Sequence, residues 1–180
     1  MADDRSIHLL DFKNAFNTIH PNAILEGVRK YAPPLYNLAW SLLSEPRYVV
    51  VGEGIITTNH GVPQGCVWSP LLFSIGIRRT LELFTERVNT LDLASWTLAY
   101  MDDITLESKL NKEETIALWN DCDAATEAPT RLALNVEKTR AVRLADVVTS
   151  GVDVLGSHIG SISSTATFIK HQLEEHKAKI

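Results

Sequence analysis

The stretch Trp96-Thr97-Leu98-Ala99-Tyr100-Met101-Asp102-Asp103-Ile104-Thr105-Leu106 decides the fold. Residues 96–101 and 104–106 read as two apolar strands flanking Asp102-Asp103. Adjacent Asp residues are poor strand and core formers, so the pair marks a turn. Taken alone, it reads as a solvated Asp-Asp β-turn, since Asp favours turns in general. Side by side, two carboxylates raise the pKa of one of them unless a cation neutralises them. A hard divalent cation suits such a site, because Mg²⁺ takes carboxylate oxygens together with substrate phosphates.

Working outward, Ile7-His8-Leu9-Leu10 is a short apolar run that ends at Asp11, a third carboxylate where a strand meets a turn. His20-Pro21 opens a helix with Ile24, Leu25, Val28 and Ala32 on one face, and Pro33-Pro34 ends it. Leu35, Leu38, Ala39, Leu42 and Leu43 repeat at helical spacing. Residues 48–58 read as a hairpin with a three-residue turn, Gly52-Glu53-Gly54. Residues 61–65 form a loop, and Ser69-Pro70 fits the N-cap and first position of a long helix marked by Phe73, Ile77, Leu81, Phe84 and Val88. Asn111 and Glu114 resemble a capping box for a helix reaching about Ala128. Residues 134–144 and 152–159 look β-rich. From Phe168 onward a polar helix is expected. Strands and helices interleave without βαβ repetition, which predicts an α+β fold: a mostly antiparallel sheet with helices packed on one face.

At 180 residues, 45% hydrophobic and 22% charged, the sequence suits one domain with a real core. No apolar run approaches the roughly 20 residues of a membrane span. The acidic start lacks the pattern of a secretory signal. Cys66 and Cys122 lie far apart, match no metal spacing and read as reduced thiols of an intracellular, cytoplasmic or nuclear protein. The net charge of −5 counts against nucleic-acid binding, because phosphates are held mainly by Lys and Arg.

Tyr100-Met101-Asp102-Asp103 resembles the signature turn of reverse transcriptases. Asp11-Phe12-Lys13-Asn14-Ala15-Phe16-Asn17 is similar to the family's first aspartate motif. Gly61-Val62-Pro63-Gln64-Gly65, running on to Ser69-Pro70-Leu71-Leu72-Phe73, is similar to its Gln-Gly…Ser-Pro motif. Leu134-Asn135-Val136-Glu137-Lys138-Thr139 resembles the next motif, and Val154-Leu155-Gly156-Ser157-His158-Ile159-Gly160 the primer-grip region. These motifs fall in the family's order across residues 7 to 160. Their wording is closer to non-LTR retroelement enzymes than to retroviral ones. Trp68 stands where an aliphatic residue is usual, which bears on the pocket's shape and not on the family.

The resemblance implies an RNA-directed DNA polymerase palm that transfers dNTPs to a primer 3′-hydroxyl by two-metal catalysis. Asp11, Asp102 and Asp103 would be the catalytic and metal-binding residues for two Mg²⁺ ions, with Mn²⁺ as a substitute. One ion would activate the primer hydroxyl, and the other would neutralise the triphosphate. Phe12, Phe16, Gln64, Gly65 and Lys138 would contact the incoming nucleotide. Of these, Phe16 would wall off a 2′-hydroxyl, and Lys138 would approach the triphosphate and give a proton to pyrophosphate. Tyr100, Met101, Leu155 and Gly156 would place the primer. The partners implied are an RNA template, a DNA primer and dNTPs, with no membrane. An A-form hybrid would be held by shape.

The palm would occupy residues 1–160 and a thumb would begin within 161–180. Fingers and most of the thumb would be absent here and supplied by a longer parent chain, which would also carry the missing basic surface. A different class of function stays open at this point: a reverse-transcriptase-like domain that binds a partner without polymerising. An RNA-dependent RNA polymerase palm is disfavoured by Tyr100-Met101 and by Phe16, where those enzymes usually have Gly and a polar ribose reader.

Overall fold

The computed structural model describes residues 4–154 and 157–177. The first strand is β1 (Ser6–Leu10). A single helical turn, α1 (Ala15–Thr18), follows it without a sequence signal: Asn14 before it is left-handed at φ 49°, and no side chain caps it. In α2 (Pro21–Tyr31), the His20 Nδ1 accepts the Asn22 N–H at 3.2 Å and Pro21 sits in the first turn. A 3₁₀ turn at Pro33–Leu35 leads into α3 (Tyr36–Leu43).

The hairpin is β2 (Arg47–Val51) with β3 (Gly54–Thr58). Val51 pairs with Gly54, so the turn holds only Gly52 and Glu53, one residue fewer than expected. Gly52, at φ 61°, supplies the positive φ that a tight hairpin turn needs. In α4 (Ser69–Leu91), Trp68 takes the cap position expected for Ser69. The Ser69 hydroxyl instead donates to the Pro63 carbonyl at 2.5 Å, fastening the preceding loop to the helix.

β4 (Trp96–Tyr100) and β5 (Asp103–Ser108) are the two strands expected around the acidic pair, and α5 (Lys112–Ala124) carries the full Asn111–Glu114 capping box. That helix ends at Ala124, short of the Ala128 expected. The β-rich reading of 134–144 holds for β6 (Arg140–Arg143) and for one bridge, Phe12 to Leu134. It misses α6 (Leu144–Ser150), which precedes β7 (Val152–Val154) and β8 (Ser157–Ile159). The last helix, α7 (Ile162–Lys177), starts at Ile162, ahead of the expected Phe168.

The main sheet has the order β4-β5-β1-β6, every pair antiparallel. One face packs on the helices: Leu10, Ile104 and Leu106 meet Ile24 and Val28 of α2, Phe73, Ile77, Phe84 and Val88 of α4, and Trp119 and Cys122 of α5. Each such fully buried aliphatic or aromatic side chain contributes about 1.5–3 kcal/mol. The helices α2 and α4 cross closely at glycines. A Cβ on Gly27 would stand 2.5 Å from the Ile75 carbonyl oxygen, and one on Gly76 would stand 2.8 Å from Ile24. On the other face, Ile7 packs with Val147 of α6 and Val152 of β7 in a small second cluster. Among the described residues, no helix is long and apolar enough to cross a membrane.

Two buried polar groups lie on β1 or just before it. The Arg5 guanidinium donates to Glu107, to Asp92 and to the Ala94 carbonyl, tying the start of β1 to the end of α4. His8 is fully buried, 3.4 Å from the Thr115 hydroxyl, and burial lowers its pKa from 6.5. The unfolded chain therefore takes up this proton first as pH falls. The stability is whole above 6.5 and declines below it. Urea midpoints should drop between about pH 7.5 and about pH 5.5, and His8→Leu should flatten that drop. An unchanged slope in the variant would assign the acid sensitivity to other groups.

Candidate active site

Asp11 follows β1 directly, and its neighbourhood is set by sheet register. Leu10 pairs with Ile104, which brings Asp11, one residue further on, beside Asp103, one residue earlier. Asp103 was expected to share the turn with Asp102. It instead opens β5 opposite Tyr100, and the turn itself is Met101-Asp102. Met101 takes a positive φ of 55°, unusual for a residue with a side chain, and this sharp reversal sets Asp102 directly beside Asp103. Burial, then the charge of Asp102, then that of Asp11, push the Asp103 carboxyl above its ordinary range. Three carboxylates from two distant segments thus share one electrostatic site.

The Lys138 loop is laced to Asp11 through the backbone. The Asn135 N–H donates to the Asp11 carbonyl at 2.7 Å, and the Thr139 hydroxyl accepts the Asp11 N–H at 3.2 Å. Upstream, the Lys13 N–H donates to Ala133 at 2.9 Å. As a result Lys138, an exposed side chain, lines the cavity that holds Asp11 and Asp103. Arg140 and Asp153 line it too. Neither was picked out from sequence, where each is one more polar residue on a short strand. Only the pairing of β6 with β1 could have pointed to Arg140, which stands opposite Leu9.

A buried carboxylate holds this loop from its far end. Asp123, near the end of α5, accepts from the Thr80 hydroxyl (2.9 Å), the Thr130 hydroxyl (2.7 Å) and the N–H groups of Thr130 and Arg131 (2.9 Å each). It fixes Arg131 in a left-handed conformation, φ 59°, just before the chain turns toward Leu134.

The other expected residues fall into separate places. Phe16 sits on α1 and is half-buried, its ring stacked on Phe73 at 4.6 Å and 10°. Phe12 borders the cleft beside residues 135–138, but its ring is buried against Trp119 at 5.0 Å. That side chain is part of the core, and Phe12 meets the cleft only at its edge. Gln64 and Gly65 are exposed, and Gly65 has a φ of 84° with open space around it. Gln64 lines a different cavity, under the β2–β3 hairpin with Asn17, Arg47 and His60. Tyr100 is exposed and Met101 half-buried, next to the carboxylates. Leu155 and Gly156 lie outside the described residues.

The donor set fits a hard cation. It is all carboxylate oxygen, and its mutual repulsion is what a divalent charge would relieve. Among the described residues, no three His, Cys, Asp or Glu side chains close into a metal cage. Mg²⁺ does not need one, since it is commonly held by one or two carboxylates with water and substrate phosphates completing the shell.

This sheet and helix layer is that of a polymerase palm. Solved structures of telomerase share it: apo telomerase from Candida tropicalis at TM-score 0.63 and 16% identity, over 86% of this chain and 34% of that one. Telomerase from Candida albicans, solved with a fragment of telomeric RNA, gives TM-score 0.64 and 11% identity over 87% and 30%. At such identities the likeness is one of fold. Sequence is more specific. Residues 1–159 match the family described as reverse transcriptase (RNA-dependent DNA polymerase). A retrotransposable element SLACS 132 kDa protein from Trypanosoma brucei gambiense is 36% identical over 79% of this chain. The chain belongs to the reverse transcriptase family and is of the retroelement type. It spans 12% of that relative's length.

Proposed function

We propose that this domain is the catalytic palm of an RNA-directed DNA polymerase, with residues 1–160 forming the palm and α7 leading into a thumb. One observation supports this reading above the others. The Leu10–Ile104 register sets Asp11 beside Asp103, and the Asp103 carboxyl is pushed up by burial and by the charges of Asp102 and Asp11. A fold that crowds three carboxylates at the mouth of a cleft, with a lysine on the rim, is poorly explained by stability alone. Two Mg²⁺ ions, when bound, supply the charge that offsets the acids and polarises the reacting oxygens.

The chain's own residues do the remainder. Asp11, Asp102 and Asp103 provide the oxygen ligands. Lys138 meets the triphosphate from the side of the Asn135–Thr139 loop and can hand a proton to the departing pyrophosphate. Gln64 and Gly65 border the nucleotide where backbone must come close. Tyr100 and Met101 pack against the primer end. Phe16, held flat by Phe73, excludes a 2′-hydroxyl with a ring that offers no polar atom. The template and primer are an RNA strand and a DNA strand.

The test is Mg²⁺-dependent extension of a DNA primer on an RNA template. Extension with dNTPs that stops on chelation supports the assignment. A folded chain that extends nothing would turn the reading toward a binding module. Phe16→Ala should raise ribonucleotide incorporation relative to deoxyribonucleotide by about a hundredfold, the upper range for a purely steric pocket. An unchanged ratio in a single-nucleotide incorporation assay would remove Phe16 from the gate.

A further inference from the structure

Arg47 belongs to none of the motifs that carry the family resemblance. It opens β2, yet its guanidinium is spent on the backbone of other segments. One terminal nitrogen donates to the carbonyls of His60 (2.5 Å) and Gly61 (2.8 Å), and the other reaches the Leu42 carbonyl at 3.5 Å. A planar fork of this kind fixes direction as well as distance. It joins the end of α3, the base of the hairpin and the loop before Gln64.

That loop lies directly on α1. The Gly61 N–H donates to the Ile19 carbonyl at 2.8 Å, and the Val62 N–H donates to the Phe16 carbonyl at 2.7 Å. The approach is close enough to require glycine: φ is 73°, and a Cβ would stand 2.4 Å from the Phe16 oxygen. The helix α1 is a single turn of four residues without a side-chain cap, so it cannot hold a ring in place by itself. Phe16 is therefore set from two sides, by Phe73 against its ring and by the loop against its backbone.

We infer that Arg47 is a positioning residue for sugar selection: it braces the 60–62 loop, the loop fixes the Phe16 backbone, and the exclusion of ribonucleotides depends on that brace. The inference rests on the reading of Phe16 as the gate. The Arg47 guanidinium donates to backbone carbonyls of its own chain. Its effect runs through Phe16, and this separates it from a residue that merely supports the fold.

The experiment is matched single-nucleotide incorporation of dNTP and rNTP by the wild-type chain, Arg47→Met, Arg47→Lys, Phe16→Ala and the double variant Phe16→Ala/Arg47→Met. The ratio of kcat/KM for rNTP over dNTP should rise about tenfold in Arg47→Met, a misplacement effect. Arg47→Lys should fall between, because an ammonium cannot serve three carbonyls as a fork does. The double variant should discriminate no worse than Phe16→Ala alone, since both changes act on one element. Equal losses with both nucleotides, or additive effects in the double variant, would overturn the inference. Should the wild-type chain extend nothing, the polymerase reading has failed on its own, and amide exchange decides whether the brace exists. Faster exchange at Gly61 and Val62 in Arg47→Met, with α4 unchanged, upholds it. Unchanged protection there overturns it.

Discussion

Asp102→Asn, and equally Asp11→Asn, should lower primer extension by at least about 10³-fold while leaving the protein folded. The amide keeps the shape of the carboxyl and removes its charge, so the loss is electrostatic. The register argument makes a second demand on the same variants. The Asp103 carboxyl is raised by burial and by these two charges, so its protonated form is favoured in the fold. The folded state then binds this proton more tightly than the unfolded chain, and stability falls as pH rises through 3.8 and beyond. Removing either neighbouring charge should relieve part of that cost. The variants should melt no lower than wild type near neutral pH, and their relative gain should vanish in acid below 3.8. Single-turnover extension and thermal melts at two pH values check both demands. A variant that loses activity and also melts well below wild type would mean the carboxylate is structural.

Asp123→Ala should destabilise the fold by at least about 3 kcal/mol, because hydrogen bonds to a charged group contribute about 1.5–3 kcal/mol each. Four donors converge on this one buried side chain, two hydroxyls and two backbone N–H groups. Truncation leaves the Thr130 and Arg131 amides without partners. It also frees Arg131 from a conformation that non-glycine residues rarely adopt. Urea unfolding monitored by fluorescence reads the loss. Asp123→Asn should be intermediate, since one acceptor survives. A change below about 1 kcal/mol for Asp123→Ala would mean that water substitutes for the carboxylate. Because the loop from Thr130 runs on to the Asn135–Thr139 segment, activity should fall with stability.

The sequence was most legible where the signal is local. The apolar runs around Asp102 became β4 and β5, the capping box at Asn111 appeared in full, and Pro21 opened α2 as expected. The family resemblance supplied what periodicity could not. No local pattern says that Leu10 pairs with Ile104, yet that pairing is what assembles the site. The misses have physical causes. Residues 145–151 carry no assignment from sequence, and they form most of α6, whose Val147 packs on Ile7 and Val152. The turn α1 is too short to show a period. The packing of the Phe12 ring on Trp119 was likewise not legible, because motif position fixes the backbone and not the side chain's company. Arg47 and Asp123 bond backbone groups 5 to 14 residues away across turns and loops, and such partners leave no periodic trace in the sequence.

The β2–β3 hairpin forms a two-stranded sheet of its own, separate from the sheet that carries the carboxylates. Its outer part, with Val50 and Ile55 largely exposed, hangs beyond Arg47 and the loop that Arg47 holds. Insertions at its Gly52-Glu53 tip would therefore leave the spacing of Asp11, Asp102 and Asp103 untouched. The architecture sets the three carboxylates on one sheet and the hairpin tip on another, so the length of the hairpin and the geometry of the acidic site are mechanically uncoupled.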